Sequence, residues 1–472
     1  EPEDGFSAEL TPAALPSLAG PRPLTRGTWH LCARPPGTTD EAALAPVVLA
    51  PPLLRQLPLD LAVDAKPFSL GAMAGDRALL TVDRDLLDDE RGIYHQLRLA
   101  RTAYRPLRSA PLRDAVVYTS FGGRQHSDSP RAIHAELVRR GAPLEHLWVG
   151  YDGMIAPPEG ASLLRAGSRA YHEAFATARY VVGNDHFPDF FERREDQLCL
   201  QTWHGTPLKR LGLDITTSAA PTQRRFEGAL LRESASWQYV LSPSAYATPI
   251  LRRAYALEGE ILETGLPRND VLAAPGREQR TAAVRERLGL TDGRRIVLYA
   301  PTYRDHVIDR FGRPRLDVGL DLQRLTAALG PETVVLFRKH HFVTDPAPSL
   351  PDGSVRDVSS YPDGTELLLA ADVLVTDYNA MLFDFAITGR PIVVFAYDLE
   401  TYRDEVRGLY LDLEEIAPGP VVRGTDELAA ALGDVDAVHV RHAERYAAFA
   451  QRFCPLDDGH AAQRVVERLF RW

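Results

Sequence analysis

The feature that most restricts what this chain can become is an alternation. Apolar runs such as DAVVYTS, ARYVVGN, RIVLYA, TVVLF, DVLVTDY and RPIVVFAYD recur between Asp114 and Asp398. Each is closed by Gly, Pro or Asp, and segments with helical apolar spacing lie between them. Nearly continuous apolar runs read as strands buried on both faces. Strand–helix alternation with short links then gives parallel sheets wound with helices on both sides. Helices are predicted at Pro130–Arg140, Ala161–Thr177, Arg224–Glu233, Ala245–Ala256, Gln279–Leu288, Leu320–Ala328, Gly364–Ala371 and Asn379–Ile387. LCLQTWHG and Thr333–His341 are predicted as strands. The alternation occurs twice, over about 110–275 and 290–455, so two Rossmann-like halves are expected to face each other across a cleft.

The 472 residues leave room for about three domains. Residues 1–22 read as a linker. Residues 23–105 read as a small β-rich accessory domain, with strands at Thr28–Ala33, Ala45–Ala50, Leu59–Val63 and Arg77–Val82. Residues 106–278 and 279–472 form the two Rossmann-like domains. A net charge of -10 excludes a general nucleic-acid partner. Cys32, Cys199 and Cys454 form no metal pattern and no disulfide framework, which fits a reducing compartment. No apolar run approaches the ~20 residues that span a bilayer. EPEDGFSAEL carries no signal peptide, and with no initiating Met the chain is expected to be part of something longer.

The chemistry-bearing residues gather at strand ends. In QTWHGTPLKRLGLD, Gly205 and Pro207 break the strand beside His204, and Lys209 and Arg210 add positive charge. His204 reads either as a base acting on an anionic substrate or as a turn histidine bonded to backbone. Gly122 and Gly123, in GGRQHSDS, form either an anion cradle or an ordinary loop between strand and helix. Arg338 and His340 are predicted on one strand face, two residues apart. Thr376, Asp377 and Asn379 precede a helix whose free N–H groups suit a diphosphate. Asp377 or Asn379 could equally cap that helix. Arg268 lies in the turn of TGLPRND. For Arg268 and Lys209 the plainer alternative is a surface ion pair.

QTWHGTPLKRLGLD, TGLPRND, APTYRD, FRKHH and TDYNAMLFDFAITGRPIVVF, in this order, resemble the CDP-glycerol glycerophosphotransferases of teichoic acid and capsule synthesis. SFGGRQHSDSPRAI is similar to that family's first Gly-containing loop. The resemblance spans roughly 112–455. It implies a GT-B fold, an acceptor domain at 106–278 and a CDP-donor domain at 279–472. It implies transfer of glycerol phosphate from a CDP-alditol to a hydroxyl of a lipid-linked or polymer acceptor, releasing CMP, with no cofactor and no bound metal. His204 and His340 match the catalytic histidines. Arg338, Thr376, Asp377 and Asn379 match the donor-phosphate stretch, with Arg268, Lys209, Gly122 and Gly123 as further substrate contacts. Asn379 and Ala380 stand where the family often has two serines, and His341 where it often has Pro or an aromatic residue.

The same resemblance implies a cytoplasmic enzyme, peripheral on the inner face of the cell membrane. The 23–105 segment looks like the spacer found where this domain is fused behind another glycosyltransferase. The competing readings are a CDP-ribitol ribitolphosphotransferase, another GT-B nucleotide-sugar enzyme, and a non-catalytic module that tethers an acceptor.

Overall fold

The computed structural model describes the chain except residues 1–8, 10, 16, 19–20, 35–43, 64–65, 204, 217–222, 311, 341, 344 and 472. Three sheets organise it. The first is antiparallel and four-stranded, in the order Gly27–His30, Arg77–Val82, Lys66–Met73 and Leu59–Val63. Lys66–Met73 is absent from the sequence reading because Pro67 and Gly71 look like punctuation. It is nevertheless an inner strand, and its buried Lys66 reaches Asp152 at 2.8 Å, tying this sheet to the next. Residues 88–105, expected within the β-rich segment, are instead largely helical turns that include Gly92–Leu99 and run on to Ser109.

The second sheet is parallel and seven-stranded. Its order is Glu260–Glu263, Tyr239–Ser242, Leu198–Gln201, Ala178–Gly183, Arg113–Thr119, Glu145–Gly150 and Ala161–Arg165. The third is parallel and six-stranded, in the order Val355–Asp357, Thr333–Phe337, Arg295–Ala300, Val373–Thr376, Ile392–Phe395 and Val421–Val422. In each parallel sheet the chain starts at a central strand, winds to one edge, then returns and winds to the other. The point of reversal opens a crevice beyond the strand ends. In the seven-stranded sheet it lies between Arg113–Thr119 and Ala178–Gly183. In the six-stranded sheet it lies between Arg295–Ala300 and Val373–Thr376.

Several predicted elements are shorter than their apolar pattern. Ala161–Thr177 is not one helix: Ala161–Arg165 is the edge strand and Arg169–Thr177 the helix, its first turn capped by the Ser168 hydroxyl. LCLQTWHG leaves the sheet after Gln201. Thr333–His341 ends as a strand at Phe337, because the Lys339 amide turns to the Ser359 hydroxyl. The helix expected over Asn379–Ile387 covers Met381–Ala386.

The carboxyl-terminal helix Ala461–Leu469 crosses back to the seven-stranded sheet. Val465, Val466 and Leu469 bury against Val116, Tyr118, Ile133 and Leu137. At ~1.5–3 kcal/mol per buried aliphatic side chain, this helix is a clamp between the halves rather than a tail of the second.

Candidate active site

The crevice of the six-stranded sheet is built by two loops, Ala300–Asp305 and Thr376–Asn379. Thr376 is buried and donates through Oγ1 to the Ala300 carbonyl at 2.8 Å. Asp377 accepts from the Thr302 amide at 2.9 Å and the Tyr378 amide at 2.6 Å. Its other oxygen takes Arg304 Nη1 at 2.8 Å, and each partner is only 1% exposed. Asp398 accepts from the same guanidinium at 2.7 and 3.0 Å. Burial alone would lower the Arg304 pKa, but Asp377, Tyr397 and Asp398 outweigh it and raise it. Tyr378, Tyr397 and Tyr402 enclose that cation, with its carbon 4.9–5.4 Å from their ring centres. Asn379 accepts from the Met381 amide at 3.1 Å and donates to the Ala300 carbonyl at 3.4 Å. The capping alternative therefore describes Asn379, while Thr376 and Asp377 are turned inward to hold the two loops together.

Arg338 and His340 lie past the end of strand Thr333–Phe337, so the shared strand face expected for them does not exist. Arg338 donates through Nη1 to the Tyr361 carbonyl at 2.8 Å and the Val358 carbonyl at 3.3 Å. Burial lowers its pKa, and Asp363 and Asp357 oppose that. Its Nε and the Met381 methyl lie 3.8 and 3.2 Å from one point, where Gly364 would carry a Cβ. Arg338 therefore sits beside the start of helix Gly364–Ala370, near the tip of Met381. His340 accepts at Nδ1 from the Phe342 amide at 3.3 Å and packs on Tyr303, ring centroids 4.6 Å apart.

His204 lies outside the described residues; its neighbours lie within them. Thr202 donates through both amide and hydroxyl to the Gly183 carbonyl, at 2.7 and 3.1 Å. Trp203 is buried against His186, Trp237 and Tyr255. Gly205 meets the six-stranded half: a Cβ there would come within 2.7 Å of Arg268 Nη2 and 3.0 Å of the Ala380 methyl. A larger side chain there would have to displace the Arg268 guanidinium. The following strap then runs along the second half. Lys209 bridges Leu409, and the Arg210 amide donates to the Gly408 carbonyl at 3.0 Å. Loss of solvent lowers the Lys209 pKa to about 8, with Arg407 adding to the effect and Asp305 and Asp377 opposing it.

Arg268 forms the seam. It reaches Asp128 at 3.2 Å on one side and Asp384 at 2.9 Å on the other, largely buried. Burial would lower its pKa, but Asp384 and Asp128 raise it instead. It is therefore no surface ion pair. Asn269 adds a bond to Asp384 at 2.9 Å. Arg131 makes a second tie, to Asp363 at 2.8 Å and Glu366 at 3.0 Å. Asp384 is thus an acceptor at the junction. A carboxylate inside the apolar hexamer MLFDFA was the available signal, since a buried charge needs a partner.

Gly122 and Gly123 lie at the reversal point of the seven-stranded sheet. Gly123 has φ +84, and a Cβ there would strike Val149 Cγ1 at 2.9 Å and the Tyr151 amide at 3.0 Å. The neighbouring Phe121 amide donates to Asn184 Oδ1 at 2.9 Å, across the crevice. Beneath this loop His126, His134 and His146 cluster with Tyr118 and Trp148. Burial pushes His126 and His134 down to about 4, helped by Arg131 for the first and by His146 for the second. These rings are neutral at physiological pH.

The structure therefore brings Arg268 and Gly205 against Ala380 and places Arg338 near the Met381 methyl, with Lys209 on the strap after Gly205 and His340 on the separate loop after Phe337. Gly122 and Gly123 belong to the other crevice. Among the described residues, no three His, Cys, Asp or Glu side chains are grouped to hold a metal ion. No described helix is long and apolar enough to cross a membrane.

Residues 103–471 match the model of the CDP-Glycerol:Poly(glycerophosphate) glycerophosphotransferase family. Over 365 residues the chain is 34% identical to the teichoic acid poly(glycerol phosphate) polymerase of Bacillus subtilis (strain 168), covering 76% of this chain and 49% of that protein. Over 377 residues it is 34% identical to the teichoic acid glycerol-phosphate transferase of Staphylococcus aureus (strain NCTC 8325 / PS 47), covering 78% of this chain and 96% of that one. The chain thus spans about half the length of the first relative and nearly all of the second. A solved histidine-to-asparagine variant of the wall teichoic acid polymerase TagF, soaked with CDPG, is similar at a TM-score of 0.72 and 31% identity, covering 80% of this chain and 97% of that one.

Proposed function

Because the chain belongs to the CDP-glycerol:poly(glycerophosphate) glycerophosphotransferase family, we propose that it transfers glycerol phosphate from CDP-glycerol to a hydroxyl of a lipid-linked or polymer acceptor, releasing CMP, in teichoic acid synthesis. In this reading the two parallel sheets are the halves of a GT-B enzyme. The six-stranded half holds the donor and the seven-stranded half the acceptor.

The observation that carries the reading is the seating of Gly205. It brings the segment that follows His204, from one half, against Ala380 of the other half and Arg268 of the seam. A base from one side then meets a phosphorus held on the other, as transfer between two bound substrates demands. His204 takes the proton of the acceptor hydroxyl as its oxygen attacks the phosphorus that carries the glycerol. The bond from that phosphorus to the bridging oxygen breaks, and CMP leaves with the electron pair. Arg338, His340 and Lys209 meet the charge that builds on the diphosphate. Asp377 and Arg304 act behind them by fixing the loops.

The reading also places the enzyme peripherally on the inner face of the cell membrane. Ile93 and Tyr94, on helix Gly92–Leu99, are 80% and 72% exposed. Leu87 and Leu97 extend this apolar surface, and Arg101 and Arg105 are exposed just beyond it. Apolar anchors flanked by arginine suit an anionic lipid surface.

Purified protein, supplied with a panel of CDP-alditols and a lipid-linked acceptor, should release CMP from CDP-glycerol. Preference for CDP-ribitol would move the substrate within the reading. No CMP from any CDP-alditol would remove it in favour of a tethering module.

A further inference from the structure

A hydrogen-bonded chain in the described residues has no part in the chemistry above. The Tyr303 ring, which supports His340, carries a hydroxyl that donates to Asp305 Oδ1 at 3.2 Å. The same oxygen accepts from Arg407 Nη1 at 2.8 Å. Arg407 Nε donates to the Arg210 carbonyl at 3.1 Å. One guanidinium therefore holds, with two different nitrogens, the support of His340 and the backbone of the strap that follows Gly205.

The surroundings fix Arg407 in that position. It follows a π-helical turn, Tyr402–Val406, an insertion that re-aims the residues after it and recurs at functional sites. The Tyr402 ring stacks on Tyr378 with centroids 4.0 Å apart, which joins the turn to the donor-side loop. The strap is paired alongside: the Tyr410 amide donates to the Leu208 carbonyl at 2.8 Å, and Lys209 faces Leu409. An isolated, partly exposed Arg–Asp pair adds little stability. The value of this one lies in what it connects.

We propose that Arg407, acting through Asp305 and Tyr303, is a positioning residue that sets His340 of one half and the Gly205–Arg210 strap of the other in a single register. This rests on the reading in which His340 meets the donor diphosphate. The two diverging bonds need a planar fork. Lysine, with a single ammonium on a flexible stem, does not reproduce them.

The test is histidine-selective NMR of the full chain labelled at the imidazole Cε1, with the His340 signal assigned by His340→Gln. Variants are Arg407→Met, Arg407→Lys and Tyr303→Phe, the last removing one oxygen and keeping the ring. The His340 resonance should move in all three while the melting temperature stays near that of wild type. The KM for CDP-glycerol should rise about 10-fold in Arg407→Met, which corresponds to ~1.4 kcal/mol. Arg407→Lys should give no rescue. An unmoved His340 resonance in Arg407→Met and Tyr303→Phe overturns the proposal. If Arg407→Met does not fold, Tyr303→Phe decides alone. A wild-type enzyme that releases no CMP would sink the functional reading, and the resonance would still decide the network.

Discussion

The two reversal points share one winding and differ in electrical character. In the six-stranded sheet the crossing is made by a buried cation between two carboxylates, Arg304 with Asp377 and Asp398. In the seven-stranded sheet it is made by a neutral bond, from the Phe121 amide to the Asn184 side chain, above imidazoles held uncharged. Topology gives each sheet a crevice, and side chains decide what each crevice can hold. In the proposed function the six-stranded crevice takes the donor diphosphate and the seven-stranded one the acceptor.

Several perturbations would break or sharpen that contrast. The largest effect is expected from His204→Ala. Its turnover should fall ~10²–10⁴-fold, the usual share of a general base, while CDP-glycerol binds as before. Stopped assays beside calorimetry separate the two quantities, and near-normal turnover would remove the base assignment.

Next is Arg304→Met, which leaves two carboxylates buried without their cation. A loss of ~3–5 kcal/mol is expected, read by thermal melting. Asn184→Ala, at the matching place in the other sheet, should cost only ~1–3 kcal/mol. Equal losses would erase the distinction between the crevices.

A smaller effect concerns Lys209. With its pKa lowered to about 8, it loses charge as pH rises through that value. The KM for CDP-glycerol should therefore climb ~10-fold or more across this range, in keeping with ~1.5–3 kcal/mol for a charge-assisted bond. Lys209→Arg keeps its charge and should flatten the climb. Parallel profiles for the two proteins would exclude Lys209 from the donor site.

The smallest belongs to Asp457, at the seam beside Asn269. Burial, then Asp384, raises its pKa from 3.8 to about 6. The folded state thus holds this proton more tightly. Its stabilising contribution is complete below the unfolded value and is lost as pH rises through about 6. Asp457→Asn should melt higher than wild type at about pH 8 and equally at about pH 4. A constant difference would show that the carboxylate is ionised throughout.

The sheets were legible in the sequence because their strands are apolar from end to end. DAVVYTS and DVLVTDY need no knowledge of their neighbours to be read as buried. The overruns came at polar ends: in TVVLFRKHH, residues after Phe337 look like more strand until the Ser359 hydroxyl captures the Lys339 amide. The motif residues were found from resemblance, whereas the frame that holds them was not. Arg304 finds Asp377 73 positions away and Arg407 finds Asp305 102 positions away. Nothing local in APTYRD or EVRGLY announces such a pairing. Only the folded sheets bring these residues within reach.

The claim that donor phosphate belongs to the six-stranded crevice is tested most directly by titrating CDP-glycerol into His340→Ala. The account predicts binding about 10-fold weaker than wild type, ~1.4 kcal/mol, with CMP affected in the same sense. Wild-type affinity for both ligands would contradict it and would move the donor to the loop at Gly122–Ser129.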